Sequence, residues 1–238
     1  MVAQTHPQPT ATPDSVAENL KRVKQAIAAA ATEAGRSPAE VTLVAVAKVQ
    51  PIERVRAALE AGHTVFGENR VQEAEEKWPA LKAAFPAARL HLLGPLQRNK
   101  LKRAVALFDV IESVDRPELA QALAREFNDT GKRPDCFLQI NTGEEPQKAG
   151  VMPRDADAFV QECRDKLKLP VRGLMCIPPA EEEPSLHFAL LREIARRNGV
   201  QELSMGMSGD FEIGVRFGAT FVRVGTAVFG IRQPPNRP

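Results

Sequence analysis

The chain has 238 residues and a mass of 26.0 kDa, is 43% hydrophobic, and sets 32 basic residues against 30 acidic ones. Charge this nearly balanced gives no overall field to hold a polyanion, so a nucleic acid partner would need a local patch. Cys136, Cys163 and Cys176 are too few and too far apart for a disulfide framework, and His6, His63, His91 and His187 form no HxxxH or HExxH pair; a metal centre has no support and a reducing cytoplasm is expected.

Residues 1–14, rich in Pro and Thr, read as a disordered tail that lacks the basic and apolar regions of a signal peptide. A helix is expected to open at Ser15, with Glu18 at capping-box spacing and Val16, Leu20, Val23, Ile27 and Ala30 as its apolar stripe. After Gly35, short apolar runs alternate with longer amphipathic segments. The runs cover 41–47, 64–66, 89–93, 109–113, 136–141, 171–176, 202–205 and 221–224, with helices expected at 52–61, 69–84, 97–107, 116–128, 154–168, 184–197 and 210–217. The basic stretch Arg98-Asn99-Lys100-Leu101-Lys102-Arg103 has no interleaved aromatics and reads as a solvated helix face, so no nucleic acid partner is expected. No stretch offers 18 uninterrupted apolar residues, so no membrane partner is expected either.

Strict alternation of strand and helix demands a parallel sheet covered by helices. Eight such units at this length make the fold class α/β, a (β/α)8 TIM barrel with an additional N-terminal helix. A doubly wound open sheet is the alternative, but the turn after the first run, Lys48-Val49-Gln50-Pro51, has none of the glycines that fold usually places there. With eight residues after Gly230, the eighth helix must be short, and the Ser15 helix takes part of its place. One domain over 15–232 is expected, followed by a tail at 233–238.

A barrel of this kind builds its site at the C-terminal ends of the strands. The first run ends in Lys48. Lysine is seldom buried, and apolar surroundings favour its neutral, nucleophilic amine; a side chain that snorkels to solvent is the other reading of the segment. The seventh run leads into Ser204-Met205-Gly206-Met207-Ser208-Gly209-Asp210 and the eighth into Arg223-Val224-Gly225-Thr226. Each turn offers small residues and a hydroxyl at a helix start, where free N–H groups and the helix dipole favour an anion; either turn alone is equally readable as an ordinary cap. Barrel closure makes these turns neighbours of Lys48. An amine beside a phosphate cup suits a phosphorylated aldehyde held as a Schiff base, of which pyridoxal 5′-phosphate is the commonest cofactor. Arg223 points to the same side of its strand as Gly225 and could meet the pyridine nitrogen as a donor, which makes the ring a weak electron sink.

The motifs Ala45-Val46-Ala47-Lys48, Phe66-Gly67-Glu68-Asn69, Gly94-Pro95-Leu96-Gln97-Arg98-Asn99-Lys100, Gly173-Leu174-Met175, the turn at 204–210 and Arg223-Val224-Gly225-Thr226-Ala227-Val228-Phe229-Gly230 resemble, in order, the YggS/PROSC family of pyridoxal phosphate homeostasis proteins. The resemblance implies a fold like the N-terminal barrel of alanine racemase, a cofactor on Lys48, phosphate contacts from Ser208, Gly209, Gly225 and Thr226, Arg223 at the ring nitrogen and Asn69 near the cofactor. The cofactor-binding candidates are therefore Lys48, Asn69, Met207, Ser208, Gly209, Arg223, Gly225 and Thr226. Ala47 and Val49 stand where the family often has Ser and Thr, and Arg70 where a Tyr often follows. The implied role is cofactor storage, carriage or delivery, with apo-forms of cofactor-dependent enzymes as partners and a monomer or weak dimer as the assembly.

The rival is an amino-acid racemase of the same fold. Two-base racemisation needs an acid or base on each face of the substrate, and the tyrosine that alanine racemases pair with the lysine has no counterpart in a chain without tyrosine. Cys176 and His91 are the remaining candidates, each more simply a core residue. A cofactor-free lysine aldolase and a protein-interaction module whose contact face is 98–103 complete the alternatives. In the glycine-bounded loop 143–150, Lys148 could offer a second amine for cofactor transfer.

Overall fold

The computed structural model describes residues 13–230, so residues 1–12 of the expected 1–14 tail and the whole of the expected 233–238 tail lie outside the described residues, while Pro13 and Asp14 belong to the first helix. Eight parallel strands close into a barrel in chain order: β1 (Thr42–Val46), β2 (Val65–Glu68), β3 (Arg89–Leu92), β4 (Val110–Val114), β5 (Asp135–Gln139), β6 (Val171–Met175), β7 (Glu202–Met207) and β8 (Phe221–Val224). The final pairing is β8 with β1, in the register Thr42↔Phe221 through Ala45↔Val224. Around it lie α1 (Pro13–Glu33), α2 (Ile52–Glu60), α3 (Val71–Ala84), α4 (Leu101–Leu107), α5 (Pro117–Thr130), α6 (Ala156–Gln161), α7 (Pro184–Arg197), α8 (Phe211–Arg216) and α9 (Thr226–Phe229). Among the described residues no helix is long and apolar enough to cross a membrane.

Each expected run has become a strand, and the differences lie at the ends. The helix expected from Ser15 begins at Pro13, because proline at a first helical position has no N–H to lose. A capping box lies at Ser37 and Glu40, where Ser37 Oγ accepts from the Ala39 amide and Glu40 Oε1 from the Ser37 amide. The single helix expected over 154–168 is divided into a 3-10 turn, α6 and a π-helical turn at Glu162–Lys166 that buries Cys163. Helix α1 packs on α2, α8 and α9, and Asn19 Nδ2 donates to the carbonyl of Val228 at 3.0 Å, so α1 covers the flank that the four-residue α9 leaves open.

Two cores result. The larger lies between barrel and helices, where the strands' outward residues meet apolar helix stripes. The smaller fills the barrel with Val110, Phe137, Met175 and the partly buried Phe221. Gly173 makes it possible: a Cβ there would stand 2.2 Å from Phe137 Cε1 and 2.5 Å from the carbonyl of Glu202. Two residues further along β4 and β8, side chains on the same face are Glu112 and Arg223, so the interior turns from apolar to polar towards the C-terminal mouth.

Candidate functional site

At that mouth a cavity of about 280 Å³ collects all eight candidate residues. Lys48 enters from the turn after β1, is half-buried, and lies where β1 and β8 run side by side. The strand's ladder carries on past its end, with Ala47 N–H donating to the Gly67 carbonyl at 2.8 Å, so the lysine is presented from a fixed backbone. Asn69 contributes from the turn after β2. Its carbonyl passes so close to Gly94 that a Cβ on that glycine would stand 2.1 Å from it.

The turns after β7 and β8 form the wall on the other side of Lys48 from Asn69. Met207 N–H donates to Asp210 Oδ1 at 2.6 Å, which pins the first turn, and Gly206 at φ +95° bends the chain where a Cβ would meet Phe211 Cα at 2.9 Å. Ser208 Oγ accepts from Gly225 N–H at 3.2 Å, so the two turns are joined to each other. Gly209 has open space where a side chain would be, and a Cβ on Gly225 would be 3.3 Å from the Val46 carbonyl. The helices behind these turns are only six and four residues long, so the donors they can offer an anion are backbone N–H groups and the Ser208 and Thr226 hydroxyls more than a macrodipole.

Arg223 lines the cavity with its side chain largely buried. Nη2 donates to the Cys176 carbonyl at 2.8 Å and Nη1 to Ser204 Oγ at 2.7 Å; Ser204 in turn donates to Glu112 Oε2 at 2.5 Å, and the other carboxylate oxygen receives His91 Nδ1 at 2.6 Å. Burial alone would raise the Glu112 carboxyl, but His91, Arg223 and Ser204 together hold it below its ordinary value. Glu112 is thus a buried anion that balances the guanidinium. Burial pushes the Cys176 thiol up to about 12, which leaves little thiolate near neutrality.

Sequence reasoning missed the apolar walls Val46, Leu93 and Ile177 and the buried Gln50, all within two residues of strand ends already singled out. It also missed Ser204 and Glu112 behind Arg223, although a carboxylate inside the apolar run 109–113 was a visible signal. Lys148 does not line the cavity; it is exposed and pairs with Glu145 at 2.5 Å, in a loop that Asn141 braces by donating to the Glu145 carbonyl at 2.8 Å. Arg103, in the basic stretch, pairs with Glu75 on α3.

Residues 12–233 match the alanine racemase N-terminal domain. A pyridoxal phosphate homeostasis protein of Pseudomonas aeruginosa is 42% identical over 92% of this chain and 96% of its own length, and one of Escherichia coli is 36% identical over 92% and 98%. The solved structure of PipY from Synechococcus elongatus with pyridoxal phosphate bound superposes with a TM-score of 0.78 at 36% identity, covering 90% of this chain and 100% of that one.

Proposed function

Because this chain belongs to the alanine racemase N-terminal domain family, within its pyridoxal phosphate homeostasis branch, we propose that it binds pyridoxal 5′-phosphate through Lys48 and serves in storage, carriage or delivery of that cofactor. The observation that carries this reading is the meeting, in one cavity, of an amine, two hydroxyl-bearing turns and a buried guanidinium. That donor set fits the molecule's functional groups one for one. When bound, the cofactor supplies an aldehyde that condenses reversibly with a primary amine and releases water.

The chain's own residues divide the remaining work. Ser208, Gly209, Gly225 and Thr226 hold the phosphate with hydroxyl and backbone donors; Met207 and Asn69 shape the walls beside the ring. Arg223 faces the ring nitrogen as a donor that does not surrender its proton, which keeps the electron demand of the ring low. No tyrosine is available as a second acid or base, and the Cys176 thiol is held too high to replace it near neutrality. His91 is engaged with Glu112 in the barrel interior. This supports a holder more than a racemase; the role proposed for it is in the cytoplasm, passing its cofactor to apo-enzymes as a monomer or weak dimer.

The test is the visible spectrum of the protein incubated with pyridoxal 5′-phosphate, followed by borohydride reduction and peptide mapping. A coloured protein with its reduced adduct on Lys48, and alanine racemisation at the rate of Lys48→Ala, is expected. A colourless protein, or an adduct on any other lysine, overturns the reading.

A further inference from the structure

The backbone on both sides of Lys48 is gripped by one helix. The carbonyl of Ala47 accepts from Lys77 Nζ at 2.9 Å, and the amide of Val49 donates to Glu73 Oε1. Lys77 and Glu73 stand one turn apart on α3 and pair with each other at 2.8 Å. The third contact of the Lys77 ammonium is Glu68 Oε1 at 2.7 Å, an oxygen that also receives Trp78 Nε1 at 3.0 Å. An ammonium has three N–H donors, and here three acceptors face them.

This grip has something to restrain. Val49 sits at φ +59°, in the left-handed region that a β-branched residue strongly disfavours, and its side chain is 59% exposed, so core packing does not hold it there. The Glu73 carboxylate holds its amide, and the Gln50 N–H closes the same turn on the Ala47 carbonyl at 3.2 Å. Glu68, at the other end of the cluster, directly precedes Asn69 on the cavity wall, so the same set of charges ties α3 to two of the segments that shape the site. None of Glu68, Lys77 or Trp78 lines the cavity itself; Glu73 lines the open groove next to it, which also touches Asn69.

Resting on the reading of Lys48 as the cofactor anchor, we infer that Glu73 and Lys77 are positioning residues: they lock the strained turn through Val49 so that the Lys48 amine is delivered into the cavity before any ligand arrives. The energetic role is preorganisation, with the strain held by charge-assisted hydrogen bonds in the folded protein and not taken from the binding of the cofactor.

The experiment compares wild type, Glu73→Ala, Glu73→Gln, Lys77→Met and the double variant Glu73→Ala with Val49→Gly. Pyridoxal 5′-phosphate affinity is read from visible absorbance on titration, the adduct is mapped after borohydride, and melting of the ligand-free protein is recorded separately. Loss of a charge-assisted bond in Glu73→Ala is expected to weaken affinity about tenfold or more, with the adduct still on Lys48. Glu73→Gln, which retains an acceptor for the Val49 amide, should lose less. Adding Val49→Gly should restore most of the affinity, because glycine takes the left-handed turn unaided. Wild-type affinity in both Glu73→Ala and Lys77→Met, a loss that Val49→Gly does not repair, or an adduct on Lys77 would overturn the proposal. Failure of wild type itself to form an adduct at Lys48 removes the reading beneath it, and is recognised before any variant is compared.

Discussion

Ser204 Oγ donates to Glu112 Oε2 at 2.5 Å, and through that bond a serine on β7 connects the cavity's arginine to a carboxylate in the middle of the barrel. An apolar residue in place of Ser204 would leave Glu112 Oε2 and Arg223 Nη1 without this shared hydroxyl, and one in place of Glu112 would leave the buried guanidinium without its counter-charge.

Glu112→Gln should therefore destabilise the protein by about 3 kcal/mol at pH 7, the range for breaking one side of a buried pair. The folded carboxyl titrates below its ordinary value of 4.5, so its contribution is complete above that pH and is lost as pH falls through the lower folded value. Urea denaturation in steps below pH 4.5 should show a steep decline in wild type and a shallower one in the variant. Equal slopes would exclude Glu112 as the group responsible.

A second titration begins at higher pH. Burial, aided by Lys24, lowers His63 from 6.5 to about 4, while its bond to the Val65 carbonyl at 2.8 Å opposes the shift. The folded state takes up this proton less readily than the unfolded chain. Stability is then complete above pH 6.5 and declines as pH falls towards 4, by about 3 kcal/mol at 1.36 kcal/mol per unit. His63→Gln should flatten the denaturation midpoint between these pH values and leave the slope below pH 4, where Glu112 titrates, unchanged.

Ser208→Ala and Thr226→Val should each weaken pyridoxal 5′-phosphate about tenfold, the scale of a hydrogen bond to a charged group, and leave the affinity for phosphate-free pyridoxal unaltered. Absorbance titration with both aldehydes decides this. Equal losses for the two ligands would move the phosphate away from these turns.

Gly94→Ala tests the wall opposite. The new methyl would lie 2.1 Å from the Asn69 carbonyl and 2.9 Å from its carbon, both backbone atoms that cannot swing aside. A loss of about 1–3 kcal/mol in urea denaturation is expected, with weaker cofactor uptake as Asn69 is displaced. Full stability and full uptake would show that the two segments are free to separate.

The barrel was legible because parallel strands covered on both faces are apolar throughout, and eight such runs at regular spacing leave few alternatives. Their ends were less so. Gly67 and Glu68 resemble a turn, yet they pair with His91 and Leu92 as the last residues of β2, since Glu68 finds Lys77 and Trp78 in the interior. Eight of the residues that line the cavity stand at strand ends legible in the sequence, because chain order fixes position around a barrel, and the family resemblance selected them among the other strand-end residues. Chain order says nothing of which side chains meet across its axis, so the line from Arg223 through Ser204 and Glu112 to His91 was hidden. Lys77 was hidden for another reason: on an amphipathic helix, a lysine reads as solvated until its three acceptors are seen.

The join between β8 and β1 brings together groups separated by most of the described chain, Lys48 near its start and the Gly225 turn near its end. On the ribosome Lys48 emerges long before the Gly225 turn, so with the proposed site a nascent barrel would have no complete seat for the cofactor until its final strand docks. Occupancy is in that sense a certificate of finished folding. The same seam would work in reverse: with the proposed site, β8 peeling away first would release the cofactor while the other seven strands are still in place.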